Sequence, residues 1–295
     1  SWDLLAAEFN LLRREGVVAG VLLGFMVTVV AAGFVGRVSI DDRRATADAA
    51  LQEYRQLVES LANQAAAGSD TARSAGAVAF SVLSVPVVKA QTALEALAIG
   101  QGDLLADTYF VTARGAYHFL TRTDPDNALR FTVGSFDVAF LLIWVLPLLV
   151  IGVLFDVVVG ERERGVLALA AVAGASPARF VWHKWCARVL VLSVSCWMSI
   201  VLAAAVAETS WTATTAWVIT GWLLVATVYL LFWAALALWI SLRSSTTESA
   251  AMQCAGAWLL LVVLTPALTN VGASSVVPPP SRVELTAALR EATEQ

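Results

Sequence analysis

Charge is scarce in this chain: 14% of its 295 residues are Asp, Glu, Lys or Arg, against 59% hydrophobic. That leaves too little polar surface to solvate a 31.3 kDa globule in water, and a mean hydropathy of +0.75 makes lipid part of the solvent. Histidine is nearly absent. His118 and His183 are distant in sequence and fall on opposite sides of the membrane in the topology argued below, so they share no metal ion and no catalytic triad. Cys186, Cys196 and Cys254 lie in or beside apolar runs, which excludes a disulfide framework and a CxxC metal site. HExxH, GxSxG and GxxxxGK[ST] do not occur, so metalloprotease, hydrolase and P-loop readings lose their anchors. The net charge of −4 is spread along the chain without a basic cluster, and nucleic acid is not an expected partner.

Long apolar runs are what the sequence has instead. A helix needs about 20 residues to cross roughly 30 Å of hydrocarbon. Five intervals free of Asp, Glu, Lys and Arg meet that length: Glu15 to Arg37, Asp137 to Asp156, Arg188 to Glu208, Glu208 to Arg243, and Glu248 to Arg282. They place spans at 16–36, 135–157, 186–207, 212–240 and 250–270, in an all-α polytopic membrane protein. The shorter run Ala75 to Val88, with Pro86 near its end, reads as buried core of a soluble part. Ahead of the first span, Trp2, Leu5, Phe9 and Leu12 recur at helical spacing with Arg13 off that face, and 1–15 reads as an interfacial helix in contact with membrane lipid, the alternative being a frayed extension of span one.

Lys and Arg in short loops set the orientation. Arg13 and Arg14 flank the first span. Arg162, Arg164, Arg179, Lys184 and Arg188 separate the second from the third, and Arg243 separates the fourth from the fifth. All fall on one side, so the N-terminus is expected in the cytoplasm and 37–134 outside it. That outer block is large enough to fold, with Ala45 to Ala67 helical and a mainly helical domain overall. The tail 271–295 begins a second outer segment. Asp137 is the one ionisable residue near hydrocarbon; it either caps the second span or sits in wet protein interior, and a proton-coupled carrier is disfavoured.

The segment 158–185 carries the most readable local pattern. Glu161 and Glu163 precede the apolar run Val166, Leu167, Ala168 and Leu169. Gly174 stands where a left-handed residue ends a helix, Ser176 where a cap starts the next, and Pro177 at a first helical position. The pattern predicts one short helix over 160–174, outside the membrane and in need of a partner surface or the lipid headgroups.

These residues resemble those of ABC-2 type transporter permeases. Glu161-x-Glu163-x-Gly165-x-Leu167, with Val166, Leu169, Ser176-Pro177-x-Arg179 and Lys184, looks like the family's cytoplasmic ATPase-coupling segment. Glu8-Phe9 through Arg13 resembles its membrane-surface helix. Gly134-Ser135-Phe136-Asp137 leading to Leu146-Pro147-Leu148 is similar to span two of the bacterial branch with large extracytoplasmic insertions. The resemblance implies a half-transporter of the type V exporter kind with six spans. Five are visible, and the sixth is expected beyond Pro278-Pro279-Pro280-Ser281-Arg282. Val166 stands where Thr is common. The resemblance further implies a separate ABC ATP-binding subunit that holds ATP and Mg, a second permease subunit, the same or homologous, and a bacterial inner-membrane location. No catalytic, cofactor or metal residue is expected in this chain. Against transport stands a mechanical or sensory subunit acting on periplasmic partners, without a substrate path. An intramembrane enzyme would need clustered polar side chains that the sequence does not show.

Overall fold

The computed structural model describes residues 16–66, 77, 83–89, 92, 94–100, 108–112, 136–174, 176–208, 211–276, 287 and 291. Among them, five helices are long and apolar enough to cross a membrane: Gly16–Ala66, Val138–Glu163, Pro177–Ala207, Ala213–Arg243 and Thr247–Val276, here spans one to five. Trp2, Leu5, Phe9, Leu12 and Arg13, together with His118, the Gly134-Ser135 pair and the proline stretch at 278–280, lie outside the described residues. The chain divides into two units, 1–150 with 182–234, and 151–181 with 235–295.

In the first unit, span one does not stop where its charge-free run stops. It continues as one helix of 51 residues, roughly 76 Å at 1.5 Å per residue, where the sequence pattern gave two helices with a break near 37–44. Nothing between Arg37 and Ala66 is Gly or Pro. Asp41 also bridges the turn by pairing with Arg37 and Arg44, each at 3.4 Å and at helical i, i+4 and i, i+3 spacing.

The block between spans one and two is not helical throughout. Ser84–Val88 (β1) and Thr108–Thr112 (β2) pair antiparallel, with Ser84 opposite Thr112 and Val88 opposite Thr108. Pro86 is tolerated because, among the described residues, β1 pairs along a single edge. Val85 and Val87 are exposed, so this run is a strand of a small sheet where buried core was expected. Residues alternate across so short a ribbon, so Val85 and Val87 face out while Pro86 between them is buried.

The turn 94–100 joins this block to the spans. Ala96 and Leu97 are buried, and the Ala96 carbonyl sits directly against Gly36 of span one, where an added Cβ would collide with it. Glu95 accepts from Lys89 Nζ at 2.8 Å and from the Thr92 N–H at 3.2 Å. Gly100, at φ +54, presents its N–H to Asp137 Oδ2 at 3.0 Å. The other oxygen, Oδ1, accepts from the Phe140 N–H at 2.7 Å and caps the start of span two. Asp137 is therefore a buried N-cap, which decides between the two roles the sequence left open for it. Arg37 Nη1 donates to the Val206 carbonyl at 3.1 Å and satisfies the end of span three.

Span two opens into a π-helical segment, Leu141–Val145, just before Pro147. A proline at 147 cannot donate to the carbonyl four residues earlier, that of Ile143. The Tyr229 hydroxyl of span four donates to it instead, at 2.9 Å. Two indoles bind span three to span four in the same way: Trp197 Nε1 donates to Thr227 Oγ1 at 2.9 Å, and Trp185 Nε1 to the Ala234 carbonyl at 3.1 Å. Such interhelical bonds contribute about 0.6 to 2 kcal/mol each in a membrane. Spans one and three approach closely at Gly33, whose missing Cβ would lie 3.0 Å from the Ala203 carbonyl oxygen.

Gly36→Ala should destabilise the first unit by about 1 to 3 kcal/mol, as overpacking does. Gly20→Ala, on the same helix with open space at its Cβ, should be neutral. Thermal unfolding of both variants in mild detergent checks this; equal midpoints would exclude the proposed joint between the outer turn and span one.

Candidate functional site

In the second unit, span two ends at a break over 155–158 and resumes as the short helix Val159–Glu163. Gly165 then takes φ +73 and opens a second helix, Val166–Val172, which closes before Gly174 at φ +78. Span three begins at Pro177. The single helix anticipated over 160–174 is thus two, because the left-handed glycine at 165 turns the chain between them. No residue of Val166–Val172 is buried: Leu169 is 70% exposed and Val172 87% exposed.

The Val159–Glu163 helix is bound to the junction of spans four and five. The break leaves the N–H groups of Val158 and Val159 without helical acceptors. Ser241 Oγ accepts from both, at 3.2 Å each, in a fully buried position. Arg162 donates through Nη1 to the Ser244 carbonyl at 3.1 Å and through Nη2 to the Leu242 carbonyl at 3.2 Å, covering the C-terminal end of span four. Glu163 accepts from the Thr247 N–H at 3.0 Å, and its other oxygen accepts from the Thr247 hydroxyl, covering the start of span five. Thr246 completes that terminus by accepting from the Ser249 N–H at 3.2 Å.

Two ion pairs lock the inner side of the turn. Arg164 lies 3.3 Å from Asp156 Oδ2 and 3.3 Å from Glu161 Oε1. Glu161 is 5% exposed, so it supports the turn from within. Arg243 stacks on Trp239 with its guanidinium carbon 4.5 Å from the ring centroid.

The whole arrangement can bind an apolar surface through Leu169 and Val172 while holding that helix against two membrane helices. A cavity elsewhere, in the first unit, has hydrocarbon walls from Ala139, Leu142, Trp222 and Val225 and holds about 270 Å³. Among the described residues no three His, Cys, Asp or Glu side chains are grouped to hold a metal.

A family model described as ABC-2 family transporter protein matches residues 2–287, nearly the whole chain. The chain belongs to the ABC-2 transporter family. Comparison with curated proteins and with solved structures gave no match. This ABC-2 protein is accordingly an all-α, multi-pass membrane protein, with the two-stranded sheet as the exception noted above.

The ten residues that resemblance assigned to ATPase coupling in this ABC-2 chain occupy different kinds of position. Leu169 is open, Val166 and Leu167 are half-buried, and Ser176 and Arg179 are exposed at and after the next helix start. Pro177 is the first residue of span three. Gly165 supplies the turn, whereas Glu161 and Glu163 face inward to Arg164 and Thr247. The acidic residues do not cap the apolar helix as the dipole argument had it. Lys184 is 6% exposed, inside span three. Sequence reasoning missed Ser241, Ser244 and Thr247, although the run Ser241-Leu242-Arg243-Ser244-Ser245-Thr246-Thr247 is the density of small hydroxyls that helix ends favour.

Hydrogen bonds from the Thr247 hydroxyl and then from its N–H hold the Glu163 carboxyl below its ordinary pKa of 4.5. A depressed carboxylate stabilises the folded junction fully above its ordinary pKa, and that contribution is lost as pH falls through the lowered value. Amide hydrogen exchange over 244–250, corrected for intrinsic rates, should therefore lose protection on acidification below about 4.5. Thr247→Val should show reduced protection at neutral pH and a flatter acid profile; a profile identical to the unaltered chain would contradict the Glu163 contact.

Proposed function

We propose that this chain is the membrane permease subunit of an ATP-binding-cassette transporter, driven by ATP hydrolysis in a separate subunit that docks on the Val166–Val172 helix. Membership of the ABC-2 family supports the permease class. The observation that carries the docking reading is the exposure of Leu169 and Val172 on a helix with a left-handed glycine at each end and no buried residue. A seven-residue helix is too short to stand alone in water, and its bare apolar side suits a groove on a partner.

Orientation supports the same reading. The basic residues Arg162, Arg164, Arg179 and Arg243 cluster at the hairpin end, the end that faces the cytoplasm and its ATP. The long end of span one and the β1–β2 sheet then face the periplasm of a bacterial cell. On this reading two permease subunits pair around the transport path, and nucleotide-driven closure of the ATPases shifts the spans between two arrangements, in the direction of export.

One observation favours the mechanical alternative. The outer turn is fastened to span one at Gly36 and to span two at Asp137, a connection suited to moving an outer domain as much as to gating a path. Reconstitution with the ATPase separates the two, since a mechanical subunit moves no cargo across the vesicle membrane.

The test of docking is a Leu169→Asp, Val172→Asp double variant. Both side chains are exposed, so insertion and detergent stability should be unchanged. Burying unpaired carboxylates in the contact should release the ATPase, since breaking a buried contact in this way costs about 3 to 5 kcal/mol. Copurification at unaltered stoichiometry would remove this helix from the docking surface. Single cysteines at Ser60 and Ser245, in a chain lacking its own three, should label from opposite faces with an impermeant thiol reagent; labelling from one face would overturn the orientation.

A further inference from the structure

We propose that Arg162, through the Leu242 and Ser244 carbonyls, and Glu163, through Thr247, are positioning residues that make the apolar hairpin and the junction of spans four and five a single moving piece, with Ser241 holding the helix break beside them. This rests on the docking reading above and adds to it the route by which docking reaches the membrane.

By chain connectivity alone, the hairpin is joined to spans two and three. Both joints are soft: the helix breaks at 155–158 on one side, and Gly174 takes φ +78 on the other. A push on Val166–Val172 transmitted only through them would be absorbed by backbone rotation. The hydrogen bonds bypass both joints. They leave from Val158, Val159, Arg162 and Glu163, within about two turns of the apolar helix, and end on 241–247.

Where they end matters as much. Arg162 takes the last carbonyls of span four, Glu163 the first N–H of span five, and Ser241 the backbone of the break itself. These helix-terminal groups have no partner within their own helices, and each gains one from this set of contacts between 158–163 and 241–247, here called the strap. The loop between spans four and five is short, with the helices ending at Arg243 and restarting at Thr247. A displacement of the strap is therefore passed to both spans with little slack. Glu163 does not touch the docking partner on this account; it acts through Thr247.

Simple stabilisation of helix ends is the competing account, and distances under nucleotide change tell them apart. Spin labels at Ser176→Cys and Met252→Cys, in a chain otherwise free of cysteine and purified with its ATPase, report the separation of hairpin and span five. In the unaltered strap the distance distribution should be narrow and the same in nucleotide-free and ATP-trapped states. Thr247→Val should keep the ATPase bound and the complex monodisperse, yet broaden the distribution and make it shift with nucleotide. Thr247→Ser, which keeps the hydroxyl, should restore the narrow form, and Arg162→Gln should behave as Thr247→Val does. A distance that changes with nucleotide in the unaltered strap, or a Thr247→Val distribution that stays narrow and fixed, overturns the proposal while leaving the docking reading intact. If no ATPase accompanies the unaltered chain, the docking reading fails and takes this proposal with it.

Discussion

Hydrocarbon offers no hydrogen bonds, so every backbone N–H or carbonyl released by a break or an end in a membrane helix must find a partner inside the protein. The breaks and ends detailed above obey that constraint. Pro147 strips a donor from the Ile143 carbonyl, and Tyr229 of another span replaces it. The end of span three is met by Arg37, the start of span two by Asp137, and the break after span two by Ser241. Span five also carries a π segment, Leu259–Leu264, just before a proline, Pro266, and there the Thr265 hydroxyl adds a second bond at 2.8 Å to the Leu260 carbonyl that its own N–H already meets. Each repair uses a side chain, and most come from a different span, so the sites of irregular backbone are also the sites where spans are joined.

That coincidence explains why charge can be both rare and consequential. Two of the few ionisable residues, Asp137 and Glu163, cap helix starts, and Arg37 and Arg162 cover helix ends. Placed so, they fix the relation of a connecting segment to a span. The turn 94–100 is held by Asp137 and by the absence of a side chain at Gly36; the hairpin after span two is held by Arg162 and Glu163. A membrane protein built this way carries mechanical continuity in a handful of polar contacts, while hydrocarbon packing supplies the bulk of its cohesion.

The five spans were legible from charge-free run length alone, because solvation by lipid leaves a composition signal that tertiary context does not override. Gly174 and Pro177 were legible as punctuation for the same local reason: a positive φ and a missing N–H are properties of single residues. The extension of span one beyond Arg37 was not, since Arg37, Asp41 and Arg44 read as the end of a membrane run and only their mutual spacing shows that the helix continues. Nor was β1–β2, whose two five-residue strands are 19 residues apart and carry no turn signature. The inward roles of Glu161 and Glu163 escaped sequence reasoning because their partners come from one turn away in one case and from more than eighty residues away in the other. Long-range caps leave no periodicity to read.

On the functional reading, the hairpin is an exposed apolar helix whose base is stapled to the membrane helices that must move. A photo-activated crosslinking side chain at Val172, introduced into the full chain in its native membrane, tests that claim most directly. The expected product is an adduct with an ABC ATP-binding subunit, formed at Val172 and absent when the same side chain replaces Val85 of the outer sheet. Adducts with lipid alone at Val172, or capture of the ATPase at Val85, would contradict it.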